Sequence, residues 1–342
     1  MNTFGRKFRV TVFGESHGEA IGVVLDGVPA GIALSEKDFE TDILRRKSGA
    51  RGTTPRTEAD EPVILSGVYE SHTTGAPLAI IFRNTDTRSG DYSLFSAMPR
   101  PGHADLVAAM KWGRNNDPRG GGYFSGRMTL PIVAAGVVAK KVLSSVLASD
   151  GKPECRADAR IVELGGIPLE GSCTTESLPE AWTQAIETAM QEGDSLGAVV
   201  ECVVSGVGAG YGEPFWDSVE SVLSHAMFSI PGVRAVGFGD GFQAARMKGS
   251  EHNDPIGPEG VPLKNGAGGI NGGITNGAPI VLRVAFKPTS SIRKSQDTYN
   301  FETQQMGALE IPGRHDVCFA LRTPVVVEAM AAVVMADFAL LG

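Results

Sequence analysis

The sequence predicts an α+β fold: a sandwich with a central helical layer between antiparallel sheets. Two segments, 129–147 and 323–341, are apolar on nearly every face, so they must be covered on several sides and belong inside. Short β-rich runs come in neighbouring pairs, 8–13 with 20–26 and 63–69 with 78–82, which favours antiparallel sheets against those helices. No repeat, low-complexity tract or Pro-rich linker divides the 342 residues, so residues 1–342 are expected to form one domain.

Taken in order, the first two strands are separated by Gly14-Glu15-Ser16-His17-Gly18, too long for a two-residue turn. Ser35 is placed as an N-cap, with Asp38 standing where a capping box has Glu, and the helix runs to about Arg46. Strands 63–69 and 78–82 follow. Helices are expected at 105–112, 129–147 (Pro131 is tolerated in the first turn), 178–191 and 214–228. Further strands are expected at 160–164, 198–205, 235–238 and 280–286. Residues 249–274 are Gly/Asn-rich and polar, the signature of a long ordered loop or lid. Thr323 caps the last helix, with Pro324 at its first position.

Composition narrows the function. Hydrophobic residues make up 42% and charged residues 20%, which excludes general disorder. The 44 glycines are near twice the usual share of about 7%, yet without a G-X-Y period they indicate loops rather than collagen. Aromatics at 7% and a net charge of −8 argue against a nucleic-acid partner. The longest apolar runs stop at Lys140 and Asp337, so no membrane span is expected. Cys155, Cys173, Cys202 and Cys318 lack metal-ligand spacing, and the opening residues lack a signal-peptide pattern. Reduced thiols, no metal and a cytoplasmic location are the expectation.

Several loops could carry chemistry. His17, between glycines, reads equally as a solvated turn residue or as a general acid beside bared backbone amides. His103 sits at a helix start that would favour an anion. For His72, His225 and His252 structural roles win. The run Arg45-Arg46-Lys47-Ser48-Gly49-Ala50-Arg51 is a tight basic cluster in an acidic chain, better explained by a small anionic substrate than by a solvated face. The alternating charges of 83–92 read as internal ion pairs. In 117–127, three glycines, Ser125 and Arg127 lead into a helix N-terminus, a sensible phosphate cradle without Walker spacing. The glycines of 206–212 resemble a dinucleotide fingerprint superficially, and a turn is the better reading. Lys287-Pro288-Thr289-Ser290-Ser291 offers donors for a phosphate or a flavin edge, and Gly313-Arg314-His315-Asp316 sets cation, imidazole and carboxylate side by side.

As a set, these segments resemble the chorismate synthase family along essentially the whole chain. The matching stretches include Phe13-Gly14-Glu15-Ser16-His17-Gly18, Arg100-Pro101-Gly102-His103-Ala104-Asp105, Arg119-Gly120-Gly121-Gly122, Gly268–Ile274, Lys287–Ser291 and Gly313–Asp316, in preserved order. The resemblance implies a homotetramer and a 1,4-elimination of phosphate from 5-enolpyruvylshikimate 3-phosphate to give chorismate. It implies reduced FMN as cofactor, with NADPH as its reductant or flavin reduced elsewhere. The absence of an added reductase domain favours the second.

By resemblance, His17 protonates the leaving phosphate, His103 keeps the flavin in its useful protonation state, and Asp316 acts near flavin N5. Ser16, Arg45, Arg46, Arg51, Arg127 and Arg314 would hold the substrate. The flavin would be met by Tyr123, Phe124, Ser125, Pro231, Gly232, Gly272, Arg314 and the run Lys287, Pro288, Thr289, Ser290 and Ser291. One departure stands out: the family usually has Arg-Ser-Ser-Ala-Arg-Glu-Thr where this chain has Tyr123-Phe124-Ser125-Gly126-Arg127-Met128-Thr129. That departure is the sequence support for an alternative, a catalytically silent relative that binds flavin or a phosphorylated ligand. The glycines of 206–212 motivate a third reading, a nicotinamide-dependent flavoenzyme.

Overall fold

The computed structural model describes residues 2–54, 56, 58–86, 94–113, 115–148, 154–171, 178–258, 260–311 and 315–342. Its strands are β1 Thr3–Phe4, β2 Arg9–Gly14, β3 Ala20–Asp26, β4 Val63–Ser66, β5 Val68–Tyr69, β6 His72–Thr73, β7 Leu78–Arg83, β8 Arg156–Leu164, β9 Ile167–Pro168, β10 Ala198–Ser205, β11 Val233–Phe238, β12 Ile270–Asn271, β13 Ile274–Thr275, β14 Ile280–Phe286, β15 Gln296–Asn300 and β16 Gln305–Leu309. The helices are α1 Glu40–Arg46, α2 Leu94–Ala97, α3 Asp105–Trp112, α4 Thr129–Ala148, α5 Glu180–Glu192, α6 Val219–Met227, α7 Gly249–His252 and α8 Pro324–Leu341.

Two five-stranded antiparallel sheets, ordered β1-β2-β3-β7-β4 and β11-β14-β10-β8-β9, enclose a helical layer. Helix α4 packs on β3 and β7, while α8 packs on β8 and β10, and the two helices lie against each other. This is the predicted α+β sandwich. Each helix is long and apolar enough to cross a membrane by length and composition, which the apolar runs alone did not suggest; 72% and 78% of their most apolar windows are buried inside the protein. Their close approach has a local cause. A Cβ on Gly136 would lie 2.3 Å from the Ala329 Cβ, so only a hydrogen there lets the axes meet.

Two acids sit inside this layer, and the fold answers both. Asp337 Oδ1 accepts the amides of Arg6, Lys7 and Phe8 at 2.9, 2.6 and 2.8 Å, which ties the N-terminal segment to α8. Glu328 accepts both terminal nitrogens of Arg45, at 2.6 and 2.7 Å, and the Ala159 amide at 2.9 Å.

Local expectations met the structure unevenly. Asp38 does reach back to accept the Ser35 amide at 2.7 Å. The strand expected over 63–69 is split at Gly67, whose φ of +85° turns the chain against Leu78, and β5 pairs with β6 instead. The helix expected over 214–228 starts later, capped by Ser218 after a separate turn at Phe215–Asp217. Thr323 does not cap α8 with its side chain; its hydroxyl donates back to the Ala320 carbonyl at 3.0 Å. The β15–β16 hairpin has no counterpart in the expectations, because β15 is polar and both strands are mostly uncovered.

Candidate active site

A cleft of about 600 Å³ opens where six connections converge: the segment after α1, the loop before α3, the glycine-rich turn before α4, the α6–β11 link, the segment after β14 and the approach to α8. That volume falls within the roughly 300–1,000 Å³ of small-molecule sites.

The glycine-rich turn, Arg119–Phe124, explains the spacing of the motif. Gly120, Gly121 and Gly122 have φ of 61°, 80° and 53°, and a Cβ on Gly120 would lie 2.5 Å from the His17 ring. Only glycine lets this backbone close over His17, which stands directly behind the cleft wall, while the Ser16 amide donates to Gly122 O at 3.2 Å. Ser125 then accepts from the Arg127 amide at 3.3 Å as the chain enters α4.

The wall is cationic. Among the described residues, seven Lys and Arg side chains line it against three carboxylates. Arg46 and Arg127 share Asp60, at 3.3 and 2.7 Å, and Arg46 also donates to Thr129 Oγ1 at 3.0 Å. Arg56 pairs with Glu58 at 2.6 Å and donates to Ser16 Oγ at 3.0 Å. Arg322 pairs with Asp316 at 2.8 Å, and the Thr54 amide occupies the other Asp316 oxygen at 2.9 Å. On the opposite wall, Lys287 donates to Gly102 O and to Ser290 Oγ, and Ser291 accepts from Arg100 at 3.0 Å. These contacts stitch the Lys287–Ser291 run to the loop that carries His103.

Burial and charge set the protonation of the site. Burial, then the Arg56 and Arg119 cations, hold His17 below the usual imidazole value. Burial also lowers His103, against its hydrogen bond to Asp105. Burial and neighbouring Arg322 push Arg46 down to about 9, which leaves it cationic at neutral pH. Burial works the other way on Glu58, yet hydrogen bonds from Thr85 and Arg56 bring it down to about 2.

Most sequence-selected residues come together here. His103, Asp316, Arg46 and Arg127 line the cleft, as do Tyr123, Phe124, Ser125, Pro231, Gly232 and the whole run from Lys287 to Ser291. Tyr123 donates to Val12 O at 3.0 Å, and Phe124 packs on Trp112 at 5.9 Å between ring centres. Three selected residues lie elsewhere in this chain. Arg45 is turned to Glu328, Arg51 is exposed and paired with Glu187 at 2.8 Å, and Gly272 forms the β12–β13 turn. Arg314 falls outside the described residues, as do Cys173 and most of the second charged stretch. Arg56, Glu58, Asp60, Arg100 and Arg322 line the cleft without having been selected as site residues. The alternation Arg56-Thr57-Glu58-Ala59-Asp60, in a stretch with no predicted element, was the available signal.

Of the other histidines, His315 lines the cleft, while His72 meets Glu70 O at 2.8 Å, His225 packs edge-on to Phe4, and His252 meets Asp240 at 3.0 Å. Cys155, Cys202 and Cys318 are unpaired and buried, and burial raises all three thiols.

The flavin expected from the sequence can be tested against this wall. Thr289 Oγ1 and Arg322 Nε are buried there, two donors without a hydrogen-bond partner among the described residues. With Lys287, Ser125 and the Gly232 backbone they suit the polar edge of a flavin.

Such a wall defines a class: an enzyme for a small, multiply anionic substrate, with imidazoles and carboxylates on the same wall as the cations. Comparison with known proteins makes it particular. The profile of the chorismate synthase family matches residues 8–340, and the chain belongs to that family. It is 54% identical over 342 residues to the chorismate synthase of Chitinophaga pinensis, covering 100% of this chain and 97% of that one. Identity to the chorismate synthase of Korarchaeum cryptofilum is 45% over 353 residues, covering 98% and 96%. A solved structure described as the crystal structure of chorismate synthase superposes with a TM-score of 0.72 at 28% identity, covering 98% of this chain and 92% of that one.

Proposed function

We propose that the cleft binds 5-enolpyruvylshikimate 3-phosphate beside reduced FMN and eliminates phosphate to give chorismate. The observation that carries this is the excess of Lys and Arg over carboxylates on a buried wall of an acidic protein. A substrate with one phosphate and two carboxylates would balance it.

Arg56, which donates to Ser16 and faces His17, would hold the phosphate together with Arg46 and Arg127 of the same wall. His17, kept neutral in the free protein, gains a proton when a phosphate dianion arrives next to it, and then donates it to the leaving oxygen. Asp316, held by Arg322 and the Thr54 amide, keeps a fixed carboxylate on the cleft wall near Arg46. Lys287, Ser290, Thr289 and Ser125 would hold the flavin. Reduced FMN, when bound, lends electron density to the elimination and recovers it, so no net redox change results.

The flavin is read as reduced elsewhere rather than by NADPH on this chain. The glycines of 206–212 join β10 to the turn before α6, and both large sheets are antiparallel, without the parallel unit of a dinucleotide site. The chain is read as one domain, supported by a continuous core that takes in both sheets and the helical layer, and as a cytoplasmic enzyme. A homotetramer is supported by large apolar side chains left in solvent, among them Phe215, Trp216, Phe242 and Ile256.

The test is anaerobic turnover with chemically reduced FMN and the phosphorylated enol ether. Chorismate and phosphate should form one-to-one over many turnovers per flavin. Binding of both ligands without product would favour the silent relative; product matched by consumed NADPH would favour the nicotinamide-dependent reading.

A further inference from the structure

His103 has two ring nitrogens, and the local geometry treats them differently. Its Nδ1 lies 2.6 Å from Asp105 Oδ1, while the ring lines the cleft. Asp105 opens α3 and is itself heavily engaged. Oδ2 accepts the Arg100 amide at 3.1 Å and Arg100 Nε at 2.8 Å; Oδ1 accepts Arg100 Nη2 at 2.8 Å. Arg100 is buried, lies over the Phe95 ring at 4.5 Å and donates its remaining terminal nitrogen to Ser291 Oγ.

A carboxylate this surrounded by donors is an acceptor at both oxygens. The nitrogen facing it at 2.6 Å must therefore carry the hydrogen. Arg100 Nη2 also lies 3.1 Å from His103 Nδ1, but a guanidinium donates too, and two donors cannot bond each other. The contact with Asp105 decides the tautomer.

We infer that Asp105 is a positioning residue for the elimination: it holds the proton of neutral His103 on Nδ1 and so presents Nε2 to the cleft as an acceptor. The assignment rests on the functional reading above for its place in catalysis, and on the geometry alone for the tautomer. The same carboxylate fixes Arg100, so one side chain sets both the imidazole and a cation of the wall. Whatever bound group loses or shares a proton at this point meets a lone pair first, and His103 becomes a donor only after it has taken that proton. A helix-opening Asp is also a favourable neighbour of the helix dipole, but that role needs neither the contact to Nδ1 nor the clasp on Arg100.

The experiment follows ring-nitrogen resonances in the full chain labelled with ¹⁵N-histidine, with His103 identified by its absence in His103→Gln. Above the His103 pKa, the wild type should show a protonated Nδ1 and a bare Nε2. Asp105→Asn keeps the shape but can donate to Nδ1, so the proton should move to Nε2 and kcat should fall by about 10²–10⁴-fold. Asp105→Glu should retain the wild-type tautomer and recover part of kcat.

A wild-type His103 protonated on Nε2 overturns the inference, and this reading does not depend on any variant folding. So does an Asn variant that changes only one of tautomer and kcat, or neither. Because the tautomer is read without turnover, a chain that makes no chorismate would count against the functional reading while leaving the Asp105–His103 assignment standing.

Discussion

The paired helices at the centre and the cleft beside them both bury charge, and they treat it oppositely. In the helical layer each buried acid is answered within the chain: Asp337 by three backbone amides, Glu328 by Arg45 and the Ala159 amide. On the cleft wall, among the described residues, ion pairs such as Arg127 with Asp60 leave cations in excess, and Thr289 Oγ1 and Arg322 Nε are donors without a partner. An uncompensated buried charge or donor is costly, so a wall that keeps several is shaped for something the protein does not itself supply. The helical layer supplies the partners of these two acids, and the cleft wall leaves part of its charge for a ligand.

Substitutions in the two regions should therefore separate activity from stability. The largest effect is expected at His17. Replacing it by Ala should slow elimination by about 10²–10⁴-fold, with reduced-flavin affinity nearly intact, as flavin titration alongside single turnover would show. Unchanged turnover would remove His17 from the chemistry.

Next comes the helix contact. Gly136→Val sets methyl groups into Ala329 and should cost about 3 kcal/mol in denaturant unfolding, with the KM of the folded fraction unchanged. A neutral result would mean that α4 and α8 can slide apart freely.

Arg46→Ala should weaken substrate binding by about 1.5–3 kcal/mol, read as a raised KM. Because Arg46 also helps satisfy buried Asp60, it should lower stability too, which breaks any clean division between the regions at that point.

Acid should loosen the cleft before the helices. Neutral His17 and His103 have folded pKa values below that of the unfolded chain, so their contribution is full above about pH 6.5 and declines as pH falls below it. Glu58 and Asp105 are likewise depressed, so theirs is full above about pH 4.5 and is lost on further acidification, through about pH 2 for Glu58. The combined loss should be visible as a falling unfolding midpoint. A midpoint flat from pH 7 to 4 would contradict these shifts.

The smallest effect belongs to Arg51. Exposed and paired with Glu187, it should change stability by under about 1 kcal/mol when replaced by Ala, and should leave KM unaltered in a single-chain site.

Much of this was legible in the residues themselves. Segments apolar on nearly every face called for cover on several sides, and adjacent β-rich runs favoured antiparallel pairing, so the layered fold followed from burial and period. The glycine triplet and the histidines near it announced a loop built for close approach, since positive φ and missing Cβ atoms are properties of single residues. What tertiary structure decided was which charges face one another. Arg45 and Arg46 are neighbours in sequence, yet one turns to Glu328 on α8 and the other to Asp60 on the cleft wall. Their side chains leave the helix about 100° apart, and only the packing of α1 says which direction holds a core acid and which a cleft. Arg127 and Arg100 likewise gained their meaning from Asp60 and Ser291, far off in the sequence, because a polar contact depends on distance in space, and local sequence carries almost none of that information.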